Sequence, residues 1–175
     1  EPIRSGEAVG TFTRDIWLGN PNAPWARSYS AVRRHPYPRV LPADFPDAWD
    51  QFRAIRRSAF EQVGGYDDVG YGEDKTLFAK LGEPAVVAPG AVVFHFNPDS
   101  LAEIFENARW IGRGHDIEQL RRPLRANAPW VALRRGLRDV RAGHPARVLI
   151  ARFAYHSGVC VGYLSKRLRP GRHPK

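Results

Sequence analysis

Apolar positions keep no steady period over residues 1 to 50, where "GNPNAPW" and "RRHPYPRVLPADFP" break every run, and one short helix around Asn22 to Val32 is the element the pattern supports there. So long a connection inside a compact domain points to absent packing partners or to a loop that covers substrate. From Phe52 the pattern sharpens. "FRAIRR" predicts a short strand, and "SAFEQVGG" a helix with Ser58 and Glu61 at capping-box spacing and Gly64 as its stop. "EDKTLFAKLG" predicts a second helix, since its first acids and later lysines match the helix dipole and Gly82 can end it. "AVVAPGAVVFHF" reads as two short buried strands about a Pro-Gly turn. Alternation sets Val92, Phe94 and Phe96 on one face of the second strand, with Val93 and His95 on the other.

Ser100 and Glu103 repeat the capping-box spacing and open the helix "SLAEIFENARWIGRG". At roughly 100° per residue, Leu101, Ile104, Phe105, Ala108 and Ile111 fall on one side, a core stripe. Glu106, Arg109, Trp110 and Arg113 gather on the other. Further on, "APWVALRRGLRDVRAG" predicts an amphipathic helix with Trp130, Leu133, Leu137 and Val140 opposite several arginines. "HPARVLIARFAYHSGVCVGYLSKRLRPGRHPK" predicts a helix opened by proline, then a basic tail. Arg152 and His156 interrupt its apolar run, which falls short of the roughly 20 apolar residues a membrane span requires. Two arrangements stay open for these helices: lying along a membrane surface, or packing on a further part of the protein.

Composition changes the picture in two ways. A formal charge of +9, mostly from arginine, favours anionic partners: phosphates, acidic lipid surfaces or nucleic acid. The acids concentrate between residues 44 and 106, against the trend of the chain. Hydrophobic residues at 43% and five tryptophans exclude general disorder. Cys160 stands alone and no Cys/His spacing resembles a zinc site, which suggests a reducing compartment. The absence of methionine, even at position 1, leads us to expect that more protein precedes Glu1.

The candidate chemistry lies in "GGYDDVGYGEDKTLFAKLG". Asp74 begins a helix after a glycine-rich turn, and a helix N-terminus favours the ionised carboxylate that a general base needs. The alternative is that Glu73 and Asp74 only cap and charge-balance that helix. Asp67 and Asp68 read as turn formers. His95, on its strand, is either a hydrogen-bonded structural residue or one ligand of a metal whose carboxylates come from elsewhere. Arg109, Trp110 and Arg113 offer guanidinium forks for phosphate and a flat indole for a sugar ring or base; the alternative is an exposed basic face.

Together these residues resemble a known family. "FRAIRRSAFEQVGGYDDVGYGEDKTLFAKL" looks like the acceptor-side segment of family 2 glycosyltransferases, whose fold is GT-A, from about Phe52 to Gly114. "ExxRW" at Glu106 to Trp110 approximates the family's QxxRW, with Glu in place of Gln. The resemblance implies an α/β fold: a partial GT-A-like, Rossmann-like domain of short strands, followed by amphipathic helices. It divides the chain into residues 1–114, the C-terminal half of that domain, and residues 115–175, a basic helical extension and tail. It makes Asp74 the catalytic base and Glu73 its partner. Arg109, Trp110, Arg113 and Asp67 would contact substrate, and His95 would meet a metal or diphosphate.

The implied activity is inverting transfer of a sugar from a nucleotide-sugar donor to a hydroxyl acceptor, polysaccharide or lipid-linked, with divalent Mg or Mn. The family's DxD metal motif is missing from residues 1–50, so the N-terminal nucleotide-binding half is an expected partner. The resemblance implies a cytoplasmic place, peripheral at the inner face of the cell membrane, with an anionic membrane surface as a further partner. The competing reading is a non-catalytic basic module binding nucleic acid or anionic membranes. No nucleic-acid motif is present, and no specific nucleic acid is expected.

Overall fold

The computed structural model describes residues 1–69, 71–114 and 121–168 and shows a mixed α/β chain. In chain order the elements are α1 (Pro2–Ser5), β1 (Gly10–Phe12), β2 (Asp15–Leu18), α2 (Pro24–Arg33), β3 (Ala48–Trp49), β4 (Ala54–Ile55), α3 (Arg57–Gln62) and α4 (Asp74–Leu81). There follow β5 (Ala85–Val87), β6 (Val92–His95), α5 (Leu101–Arg113), α6 (Arg121–Ala126), α7 (Pro129–Arg141) and α8 (Arg147–Leu168). The expected basic tail beyond Leu168, and Gly70 in the acidic loop, lie outside the described residues.

Two small sheets form. One has the order β3-β5-β1-β4, with β1 parallel to β5 and antiparallel to β4; the other pairs β2 with β6 in parallel. The two strands expected around the Pro-Gly turn are both present, but each pairs with an earlier strand, not with the other. Nor is β6 buried as expected: Val92 and Phe94, and Phe96 just beyond, are exposed, with no further layer over that face among the described residues. Residues 1–50 hold more structure than their pattern suggests, including β1 at the centre of the larger sheet with all three residues buried.

Each sheet side has its own core. Phe12, Phe52, Leu77 and Ala85 anchor the first, flanked by Phe45, Trp49, Ile55 and Phe60. The Phe12, Phe45 and Trp49 rings meet edge to face there, at 5.3–6.1 Å between centroids. The second core joins helices: Tyr29 and Val32 of α2, Ile104 of α5, and Ala151 of α8. On α5 the expected stripe is borne out at Ile104, Ala108 and Ile111, all buried, while Leu101 and Phe105 are half-buried.

Helices α5 and α8 approach closely because glycine lines their contact. A Cβ on Gly158 would sit 2.8 Å from Ala108 Cβ, and one on Gly162 would collide with the Arg109 carbonyl. Gly112 fits in the same way against Val159. Helix α8 is thereby packed onto α5, and it also contacts α2 and α7.

The caps divide the same way. Ser100 Oγ accepts from the Glu103 amide at 3.2 Å, and Glu103 Oε2 accepts from the Asp99 amide at 2.9 Å, so this box forms with its return bond one residue early. The Ser58–Glu61 box does not form. Arg56 is the N-cap of α3 and offers no side-chain bond, and Glu61 pairs with Arg57 at 2.7 Å. Gly82 ends α4 in the left-handed region, as expected. No described helix is long and apolar enough to cross a membrane.

Candidate functional site

The glycine-rich loop between α3 and α4 is fixed at both ends. At its start Gly64 and Gly65 take φ of +72° and +71°, a conformation a side chain would strain. Lys80 of α4 reaches back to bond the Gly65 carbonyl at 2.8 Å and the Asp67 carboxylate at 2.5 Å. Asp67 therefore ties the turn onto α4 through an ion pair.

At its end the loop is strapped to the helices through Tyr71. The Tyr71 ring meets Trp110 of α5 edge-on, at 5.1 Å between centroids and 85° between planes. Its hydroxyl accepts from Arg33 Nη2 at 3.3 Å. The approach needs a glycine at the end of α5, since a Cβ on Gly114 would lie 2.6 Å from the Tyr71 carbonyl oxygen.

Glu73 and Asp74 follow directly. Asp74 follows Tyr71 by three positions, so their Cα atoms lie within about 11 Å of each other. The strap thus tethers the chain to Trp110 and Arg33 just before the first turn of α4. Asp74 is half-buried and its carboxylate makes no hydrogen bond or ion pair among the described residues. Glu73 is also half-buried, and its Oε2 is buried without a hydrogen-bond partner. Neither carboxylate forms a side-chain cap on α4, so the capping alternative loses its principal contact.

Arg33 is the residue that sequence reasoning missed. It ends α2, donates to the Tyr155 hydroxyl of α8 at 2.8 Å as well as to Tyr71, and lies over the Tyr155 ring. Tyr29, one turn earlier, donates to Asn107 Oδ1 of α5 at 2.6 Å, and burial pushes its hydroxyl well above the usual phenol range. Arg33 also bears on two imidazoles. Burial, with the charges of Arg53 and Arg33, holds His95 below its ordinary value. Burial, Arg33 and His95 together hold His35 down to about 4. Both rings are therefore neutral at pH 7. The signal for Arg33 was the basic run "RRH" closing the one helix read in the first 50 residues.

The arginine and tryptophan face of α5 is divided among partners. Arg109 pairs with Glu106 at 2.8 Å, Trp110 with Tyr71, and Arg113 Nε with Ser165 Oγ of α8 at 3.4 Å. Arg113 is thus turned to the α5–α8 contact, while Arg109 stays half-buried beside Glu106.

Neutral His95 is a competent metal ligand, but cations surround it, and no group of three or more His, Cys, Asp or Glu side chains among the described residues could hold a metal ion. These residues alone do not fit the divalent ion that the resemblance implies. No family model, curated protein or solved structure matches this chain.

Proposed function

We propose that the chain is the acceptor-side part of an inverting glycosyltransferase with a GT-A-like fold, working with a nucleotide-binding half that contributes the donor site. One observation carries this reading: Tyr71, which straps the glycine-rich loop to an exposed indole and a fixed cation, lies three positions before the unpaired Asp74 carboxylate at the start of α4. A sugar-transfer site needs a free base, a flat apolar platform for a sugar ring and positive charge for a departing diphosphate.

In the proposed step, Asp74 takes the proton of an acceptor hydroxyl as that oxygen bonds to the anomeric carbon. The bond from this carbon to the diphosphate oxygen breaks on the opposite face, and the nucleotide diphosphate leaves with the electron pair. The Glu73 carbonyl accepts from the Thr76 hydroxyl at 2.6 Å and so supports the α4 turn that carries Asp74. Arg33 and Arg109 supply positive charge, and Trp110 receives the acceptor. The Mg or Mn of the resemblance would need carboxylates other than those described, and no step is assigned to it. With a basic α7 and α8, we place the protein at the cytoplasmic face of the membrane as a peripheral enzyme.

The test uses the protein extended through the coding sequence upstream of Glu1, assayed for release of nucleotide diphosphate from a panel of nucleotide sugars. Asp74→Asn should lower turnover by about 10²–10⁴-fold, the usual worth of a general base, with the circular dichroism unchanged. Turnover by Asp74→Asn at the wild-type rate would end the reading.

A further inference from the structure

A second feature lies where α2 ends against α7 and α8. There the surface opens into a recess of about 260 Å³ lined by Arg33, Arg34, Arg135, Arg152, Tyr155 and His156. Its charge is poorly balanced. Asp139 is the single carboxylate in α2, α7 and α8, and it is committed to Arg152 at 2.7 Å. Arg33 donates to two tyrosine hydroxyls and to no carboxylate among the described residues. Arg34 and Arg135 have no ion pair among the described residues.

Arg34 closes α2 as its C-cap at φ +61°, a left-handed conformation that a non-glycine residue takes at a cost, and it lines the recess. Burial, and after it the charges of Arg152, Arg34, Arg138 and Arg134, depress the pKa of Arg135. Cations collected without counter-charge are stable when an anion sits among them. Guanidinium forks match the oxygens of a phosphate in pairs, and several forks on one small cavity suit a dianion better than a single carboxylate.

We propose that this recess binds a phosphomonoester or diphosphate group, held by Arg34 and Arg135 with the positive charge of Arg33 beside them. Two sources could deliver that group: a soluble phosphate ester, or a lipid bearing a terminal phosphate. The helix that supplies Arg135 also leaves Trp130, Leu133 and Leu137 exposed, an apolar ridge suited to the second source.

Titration calorimetry with inorganic pyrophosphate, and cosedimentation with phosphatidylcholine vesicles carrying either phosphatidic acid or phosphatidylserine, test it on the full chain. The expected result is saturable binding to pyrophosphate, to phosphatidic acid vesicles in preference to phosphatidylserine, or to both. Pyrophosphate alone assigns the soluble source, and phosphatidic acid alone the lipid one. Arg34→Gln with Arg135→Gln should weaken that binding about 10-fold or more, while Arg141→Gln with Arg167→Gln, which removes the same charge elsewhere, should change it about twofold or less. Unchanged circular dichroism confirms that the recess variant is folded, and Arg152 is left in place for that reason. Two results overturn the site: no preference for either phosphate probe, or equal weakening by both double variants.

Discussion

Removing Asp139 strands a buried charge. Arg152 is 3% exposed and Asp139 11%, and the pair closes at 2.7 Å. The remaining donors of Arg152 go to the carbonyls of Val32 at 3.1 Å and Ala31 at 3.3 Å, in the last turn of α2. This one guanidinium therefore joins α2, α7 and α8. Exposed ion pairs contribute about 0–1 kcal/mol, whereas breaking a buried pair from one side costs about 3–5 kcal/mol, because the surviving ion keeps its charge with little access to water. Asp139→Ala should fall in the second range. With a urea dependence of about 2 kcal/mol per molar, the unfolding midpoint would drop by about 2 M. Arg152→Met alone should cost a similar amount, since it leaves a buried carboxylate. The double change should regain most of the loss, less about 1 kcal/mol for a helix carbonyl left without its donor. Urea melts followed by circular dichroism at pH 7 measure all three. A midpoint shift of Asp139→Ala below about 0.5 M would place the pair among surface ion pairs and refute the reasoning.

Two further outcomes follow from the helix packing. Gly162→Ala would gain about 1 kcal/mol from helix propensity alone, but its methyl would meet the Arg109 carbonyl, and overpacking costs about 1–3 kcal/mol; thermal melting should show a net loss, and a raised midpoint would mean that α5 and α8 are not in close contact. His156 is 2% exposed, and burial, with Arg135 and Arg152, holds its pKa down to about 4. Below about pH 6.5 the unfolded chain takes up a proton that the folded chain refuses, so stability falls between pH 6.5 and 4, by on the order of 3 kcal/mol from this group. His156→Gln should flatten that decline in urea melts at pH 7, 5.5 and 4.5, and parallel declines would contradict it.

The elements that could be read from the sequence are those long enough to show a period or closed by a specific terminus. Helix α5 shows both, with its Ser100 cap and apolar stripe, and Gly82 ends α4 where its freedom to take positive φ is needed. Strand β1 shows neither. "GTF" is three residues long and buried throughout, so it carries no alternation, and its place between β4 and β5 depends on partners far along the chain. Helix α8 misleads for another reason. Its polar interruptions, Arg152 and His156, point inward to Asp139 and Asn127, while Ile150, Phe153, Val161 and Leu164 face out. A rule that turns charge to water and hydrocarbon to the core fails when a charge is paired inside and the outer face is left for another surface.

The candidate site divides along a similar line. Glu73, Asp74 and Trp110 were legible because a helix start after glycines and an aromatic off the core stripe are local features. Tyr71 and Arg33 were not, because each acts through contacts spanning 38 residues and more. Yet Arg33 gives the neighbourhood its character. It bonds the tyrosine that holds the acidic loop, bears on His35 and His95, and lines the arginine recess. A side chain fixed by two tyrosine hydroxyls on separate elements keeps its charge in one place with little remaining conformational freedom. An anion entering the recess would draw on the same guanidinium that steadies Tyr71. Occupancy of one site would then change the hold on the loop leading to Asp74, a coupling that works in both directions. The two sites are neighbours through Arg33, and any ligand that moves it must be felt on both sides.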